Sequence, residues 1–414
     1  MSGSAPRRRV YLHIGLHKTG TTYLQHVLRR NRDELSAQGV FFPGGEKVGQ
    51  MLAVWDLFGR RPRGAHDGRV NGQWQALTGL VEDDHRPVTL ISEEYLSLAT
   101  PAQAVRAVAG FPSAEVHVVV TARDIGRIVV SQWQEEVKNN QTWSWQEYAA
   151  ALRDPRARAK NPARHFWLSH DLPVILETWR AAVPADRIHV VTVPPPGSDP
   201  AQLLARYGSV VGFEPALLTN PPGWSNESLG VAATEVVRRL NQRLDRGLSQ
   251  RQYNRVIKIA LVPEIVRRQE SSRFGLPPEH QEWARGWARD ATTQIEQAGY
   301  RVVGELSDLL PVDHGLRRPD DATDDEVLDA AITALAGLAE VYAKAWWSRK
   351  VPDRGPDQVA LRTRVASTVR GAGFRARRRA AQAADRNRVA AKAMAGYLQL
   401  RAVRRRAARR RALP

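Results

Sequence analysis

Gly15 and Gly20 enclose Leu16-His17-Lys18-Thr19 and are followed by Thr21-Thr22, so two glycines, one ammonium and three hydroxyls fall within eight residues. Glycines let a backbone approach an anion closely, and the free N–H groups of a helix start point at it. This is the composition of a phosphate cradle. Gly15 and Gly20 keep the spacing of the nucleotide loop G-x-x-x-x-G-K-[ST], but Thr21 stands where the lysine belongs and the lysine has moved inside the loop, to Lys18. Two further places carry reactive side chains. Ser92-Glu93-Glu94 brings paired carboxylates, which read either as chemistry or as a capped helix start whose acids favour the dipole. Arg123 and, eight residues on, Ser131 read either as anion ligands or as a surface ion pair and an unrelated hydroxyl.

These residues need elements to hold them. The run 10–14 reads as a buried strand and 23–28 as a helix with Leu24, Val27 and Leu28 on one face, ending near Gly39. Residues 88–91, 116–121 and 187–193 read as further strands, the second of these the most β-branched. Helices are expected at 74–81, 101–109, 125–137 and 172–182. Residues 40–42 form a short extended piece, and 46–72 read as irregular because Gly49, Gly59, Gly64, Gly68 and Gly72 break any period. Strands alternating with helices imply an α/β fold, a doubly wound and mostly parallel sheet with ligands at the carboxyl ends of its strands. Ser92-Glu93-Glu94 and Arg123 follow such ends. Beyond Pro194-Pro195-Pro196 the pattern is helical at 201–211, 229–244, 250–268 and 279–297, with a short strand at 300–304 and an amphipathic helix at 326–347.

His17-Lys18-Thr19-Gly20-Thr21-Thr22 followed by Tyr23-Leu24-Gln25 resembles the 5′-phosphosulfate loop of the sulfotransferases that use 3′-phosphoadenosine 5′-phosphosulfate (PAPS). Arg123 after the third strand and Ser131 on the next helix resemble the 3′-phosphate clamp of the same family, where a planar guanidinium and a hydroxyl grip one dianion. The resemblance covers residues 10 to about 310. It implies PAPS as the donor cosubstrate, a hydroxyl or amine acceptor on a carbohydrate, glycolipid or small metabolite, and no required metal. It places Lys18, the N–H groups of Thr19, Gly20, Thr21 and Thr22, and the hydroxyls of Thr21 and Thr22 on the 5′-phosphate, with Arg123 and Ser131 on the 3′-phosphate. For the base it leaves Glu94, Glu93 and His17, with Glu94 preferred. His13, inside a strand, reads as a core histidine. Acceptor pockets in such proteins come from variable loops, here 46–72 and 135–170. Asn226, Glu227 and Ser228 after Pro221-Pro222-Gly223-Trp224 read as a nucleotide-closing loop or as a helix cap, and Trp143, Trp145, Trp167 and Trp179 as packing. A P-loop nucleotide kinase would need the lysine after Gly20 and a carboxylate for magnesium. A non-catalytic nucleotide-binding scaffold would use its basic tail on a membrane or nucleic acid.

At 414 residues, with 43% hydrophobic residues and 12 tryptophans, the chain can bury a large core. The absence of cysteine excludes disulfides, thiolate metal sites and a cysteine nucleophile. The basic N-terminus leads into a strand rather than an apolar signal core, and no apolar run reaches bilayer length, so a soluble, cytoplasmic protein is expected. Residues 351–414 hold 18 Lys/Arg and three Asp, which is 15 of the 18 net positive charges. The expected organisation is a catalytic domain at 1–310, an acidic linker and helix at 311–350, and an Arg/Ala-rich helical or disordered tail at 351–414. Within 359–413, Tyr397, Leu400 and Val403 recur at helical spacing among arginines, which favours an anionic membrane surface over nucleic acid as the tail's partner.

Overall fold

The structure is a computed structural model that describes residues 7–44, 49–60, 70–199, 201–220, 229–245, 247–268, 274–313 and 315–348. Its first half runs β1 (Arg9–His13), α1 (Thr21–Arg30), α2 (Arg32–Ala37), β2 (Val40–Phe41), α3 (Gln50–Leu57), α4 (Gln73–Glu82), β3 (Val88–Ser92), α5 (Pro101–Ala109), β4 (Glu115–Ala122) and α6 (Ile125–Lys138). There follow α7 (Trp145–Arg153), α8 (Ala163–His170), α9 (Leu172–Arg180), β5 (Ile188–Thr192) and α10 (Ala201–Val211). The rest is α11 (Val231–Leu244), α12 (Gln250–Tyr253), a π-helical stretch Asn254–Leu261, α13 (Val262–Arg268), α14 (Pro278–Ala298), β6 (Arg301–Val303) and α15 (Asp324–Ser348).

The six strands form one sheet in the order β2-β3-β1-β4-β5-β6, and every pairing is parallel. Parallel strands need helical crossovers, so both faces are covered and the strands are apolar almost throughout. Alternation along β1 shows this: Val10 and Leu12 enter a core with Val118, Val120, Ile188 and Val190, while Tyr11 enters the opposite core with Leu90, Val119 and Val191. The fold is the expected α/β, doubly wound sheet. β1 is flanked by β3 on one side and β4 on the other, with His13 in register with Ser92 and with Val119. Successive connections thus leave in opposite directions at the carboxyl end of β1, which opens a crevice there. A third, helical core gathers Trp133, Trp145, Phe166, Tyr253 and Ala284 beside the sheet.

Several sequence expectations change. Residues 46–72 are not irregular throughout, because α3 occupies Gln50–Leu57 and buries Ala53, Val54 and Leu57. The glycines that hid it lie outside that turn-and-a-half of apolar residues. The first helix is two helices: Asn31 donates its side-chain amide to Val27 O (2.8 Å) and to Asn220 O (2.8 Å), which breaks the chain between α1 and α2. The stretch 135–170 is largely α6, α7 and α8 rather than loop, α7 starting at a Ser144/Glu147 capping box. Trp145, Trp167 and Trp179 are buried packing residues, and Trp143 is partly buried against the helical core. The chain divides into two compact units, Met1–Val341 and Tyr342–Pro414. The proposed nucleotide-closing residues 221–228 and the basic tail lie outside the described residues. Among the described residues no helix is long and apolar enough to cross a membrane.

Candidate active site

The loop after β1 stays stitched to β4 for two more ladder bonds, Ile14 N–H to Val119 O (3.0 Å) and Leu16 N–H to Thr121 O (2.9 Å), and then leaves the sheet. It turns through left-handed backbone at Gly15 (φ 99°), Lys18 (φ 62°) and Gly20 (φ 88°). Lys18 is the exception among these, since a side chain disfavours that region and surrounding contacts must hold it there. Those contacts lie underneath. The Thr19 hydroxyl donates to Leu16 O (2.6 Å) and lies 2.6 Å from Thr121 Oγ1, which also reaches Gly15 O (3.0 Å). His13 completes the group, with Nδ1 2.7 Å from Ser92 Oγ and Nε2 3.2 Å from Thr121 Oγ1. Burial pushes the His13 imidazole down to about 3, so it is neutral. Ser92 therefore serves this network; the short helical turn Glu94–Leu98 has no side-chain cap.

Gly20 is the N-cap of α1, and no side chain caps that helix or places an acid in its first turn. The N–H groups of Thr21, Thr22 and Tyr23 have no intrahelical acceptor, so positive potential collects at the loop. A Cβ on Gly20 would stand 2.7 Å from Leu203 Cδ2, besides being strained at that φ. Thr21 is buried and Thr22 half-buried.

Along the rim, Lys18 Nζ donates to Glu135 Oε2 (3.2 Å). The same carboxylate meets Lys138 Nζ (2.7 Å) and Lys258 Nζ (3.5 Å), and Lys258 also donates to Asn139 Oδ1 (2.7 Å). Burial alone would push the Glu135 carboxyl up; Lys18, Lys138 and Lys258 instead hold it well below the usual range. Burial lowers Lys18, with Lys138 acting in the same direction against Glu135. Arg123 Nη1 donates to Lys18 O (3.0 Å), so the guanidinium docks on the loop's backbone while the Lys18 ammonium turns to Glu135. Ser131 donates to Arg127 O (2.8 Å) within α6 and lies one turn before Glu135, on a half-exposed stripe of Arg127, Ser131, Glu135 and Lys138.

The glutamates at the end of β3 differ. Glu93 is 6% exposed, and burial, with Glu94 second, pushes it up to about 8. Glu94 is half-exposed, accepts from Gln25 Nε2 (2.9 Å), and its Cβ lies 3.1 Å from where a Cβ on Gly15 would sit. It thus abuts the loop backbone. His17 is pushed down by burial, with Glu94 opposing, and its Nδ1 is buried without a hydrogen-bond partner. Its ring stands edge-on to Tyr95, 5.4 Å between centroids.

Thr121, Glu135, Lys138 and Lys258 were not among the residues singled out from sequence, and Gln25 stood only as the end of the loop motif, with no role assigned. Only Glu135 and Lys138 carried a signal, as continuations of the Arg127–Ser131 stripe at helical spacing. Among the described residues no group of three or more His, Asp or Glu is placed to hold a metal ion.

No family model and no curated protein matches the chain. Among solved structures it is similar to a sulfotransferase from Alicyclobacillus acidocaldarius, at 13% identity and a TM-score of 0.40, covering 72% of this chain and 97% of that one.

Proposed function

We propose that this chain is an enzyme that transfers a sulfuryl group from PAPS to a hydroxyl or amine of a carbohydrate, glycolipid or small-metabolite acceptor. The observation that carries the reading is an uncapped helix N-terminus just beyond the carboxyl end of β1, on a loop that bears Lys18 and whose Lys18 carbonyl holds the Arg123 guanidinium. These donors suit a ligand bearing two separate phosphate groups, and the loop's first helical turn offers no acid to oppose it. PAPS supplies the activated sulfuryl group and a phosphate leaving group.

The chain's own residues have distinct tasks. Thr21, Thr22 and Tyr23 N–H groups and Lys18 bind the 5′-phosphate side and stabilise negative charge as the sulfur–oxygen bond to the leaving phosphate breaks. Arg123, with Ser131 on the following helix, binds the 3′-phosphate. Glu94 takes the proton of the attacking hydroxyl as the new sulfur–oxygen bond forms. Glu93 suits this poorly, since a carboxyl titrating near 8 is mostly protonated at neutral pH. His17 is the alternative acceptor of that proton.

The test is ligand-induced stabilisation followed by transfer. Adenosine 3′,5′-bisphosphate without magnesium should raise Tm more than AMP or ATP at equal concentration. Arg123→Ala should remove most of that preference, a loss of roughly 1.5–3 kcal/mol. Labelled sulfate should then move from PAPS to an acceptor in cell extract. Equal stabilisation by ATP and the bisphosphate sinks the reading.

A further inference from the structure

Three ammonium groups from three separate elements converge on one carboxylate: Lys18 from the loop, Lys138 from α6 and Lys258 from the π-helical stretch, at 3.2, 2.7 and 3.5 Å from Glu135. The four side chains are between 20% and 32% exposed, too enclosed for ordinary surface pairs and too open for a sealed core. Glu135 belongs to the same stripe of α6 as Ser131, one turn further on. Its carboxyl stays ionised because of its three cations. An ammonium placed to meet a bound anion is therefore already committed to an anion belonging to the protein.

We propose that Glu135 is an internal counter-anion: its carboxylate holds the Lys18 ammonium, with Lys138 and Lys258 around it, in place of a ligand's oxygens, and an anionic donor must displace it from Lys18. Glu135 is thus a positioning residue, acting through Lys18. Without it, three like charges would repel one another and Lys18 would have no fixed place. With it, part of the attraction between Lys18 and any incoming anion is spent on breaking the internal pair. The proposal rests on the loop being the donor's site, and it makes a prediction of unusual sign. A carboxylate that is only a structural strut weakens binding when removed, whereas a competing anion strengthens it.

Glu135→Gln keeps the size and one acceptor oxygen and drops the charge. Calorimetric titration should show roughly three- to tenfold tighter binding of adenosine 3′,5′-bisphosphate and of inorganic pyrophosphate than in the wild type. In a Lys18→Ala background the same substitution should bring no such gain, because the ammonium it competes for is gone. Glu135→Asp, which keeps the charge, should restore binding close to the wild type. Should the Gln variant not fold, Glu135→Ser removes the charge by another route and is held to the same expectation. Unchanged or weaker binding in a folded, charge-free variant overturns the proposal. A gain that survives Lys18→Ala overturns it too, since the effect would not pass through Lys18. If the wild type binds pyrophosphate but prefers the bisphosphate no more than AMP, the donor reading fails while the pyrophosphate titrations still decide the role of Glu135.

Discussion

Beneath the loop, Thr19, Thr121, His13 and Ser92 hold one another through hydrogen bonds between neutral groups, all but sealed from water. Along its rim, Lys18, Glu135, Lys138 and Lys258 hold one another by charge, and each keeps part of its surface in solvent. The floor and the rim touch the same six residues, Gly15 to Gly20, yet they work under different rules. In the sealed floor a lost partner leaves a desolvated polar atom, so its geometry is stiff. At the rim, each ion keeps part of its surface in water, which screens the pairs in part and can stand in for a lost partner, so they exchange partners more readily than the floor's hydrogen bonds can. A shape that must not change is built from neutral hydroxyls and an imidazole. A charge that must be handed to a ligand is placed where handing it over is easy.

The largest expected effect tests whether the reacting groups belong to the rim. Glu94→Gln should slow turnover about 10²–10⁴-fold, the usual contribution of a positioned base, while leaving the bisphosphate Kd nearly unchanged. Glu93→Gln should be mild, because a largely protonated carboxyl is already close to an amide in charge and size. Initial rates of labelled sulfate transfer, paired with calorimetric Kd values, separate the two. If Glu93→Gln or His17→Ala abolishes turnover and Glu94→Gln does not, the base has been misassigned.

The next effect tests the floor. Thr121→Val keeps the volume and deletes a hydroxyl shared by Gly15 O, Thr19 Oγ1 and His13 Nε2. Leaving buried partners unsatisfied should cost about 2–4 kcal/mol in urea unfolding. Lys18→Ala should cost less than about 1 kcal/mol in the same experiment while weakening the bisphosphate strongly. Equal destabilisation by both substitutions would erase the distinction between floor and rim.

What the sequence made legible follows the same division. The loop, its glycines and the strands around it were readable because each is a local pattern: β-branched runs, a glycine pair, a helix start. Alternation of strands and helices implied the parallel, doubly wound sheet and put Glu94 and Arg123 at strand ends, whereas the order β3-β1-β4 came only with the fold. Residues joined only by folding were not readable. Glu135 lies 117 positions from Lys18, and Lys258 lies 123 from Glu135, so no window contains the cage. Asn31 breaks a helix partly through a carbonyl 189 residues away. Thr121 looked like one more β-branched strand residue, and only the parallel register of β1 and β4 turns its hydroxyl into the keystone of the floor.

Acid unfolding offers the finest comparison, because the neighbouring carboxyl ends of β1 and β3 carry buried groups of opposite pH behaviour, His13 and Glu93. Folding keeps His13 neutral near 3 while the unfolded chain takes up a proton near 6.5, so its contribution is whole above 6.5 and drains as pH falls. Glu93 runs the other way: raised from 4.5 to about 8, it contributes fully below 4.5 and loses that stability as pH rises through 8. Between pH 7 and 5 each is worth about 2 kcal/mol, with opposite signs. Glu135, held low by its lysines, adds no slope there and matters only as pH falls below 4.5. These two contributions therefore offset each other within the wild-type profile, on top of an acid loss from the other histidines that burial pushes down, His170, His189, His17 and His117 among them. His13→Gln should lower stability at pH 7 but make the protein gain relative to the wild type on going to pH 5. Glu93→Gln should do the reverse and steepen the acid loss by about 2 kcal/mol. Urea unfolding of the three proteins at pH 7, 6 and 5 measures both slopes. If the three profiles run parallel, neither group is held in the charge state that these buried strand ends impose, and the neutral floor loses its physical basis.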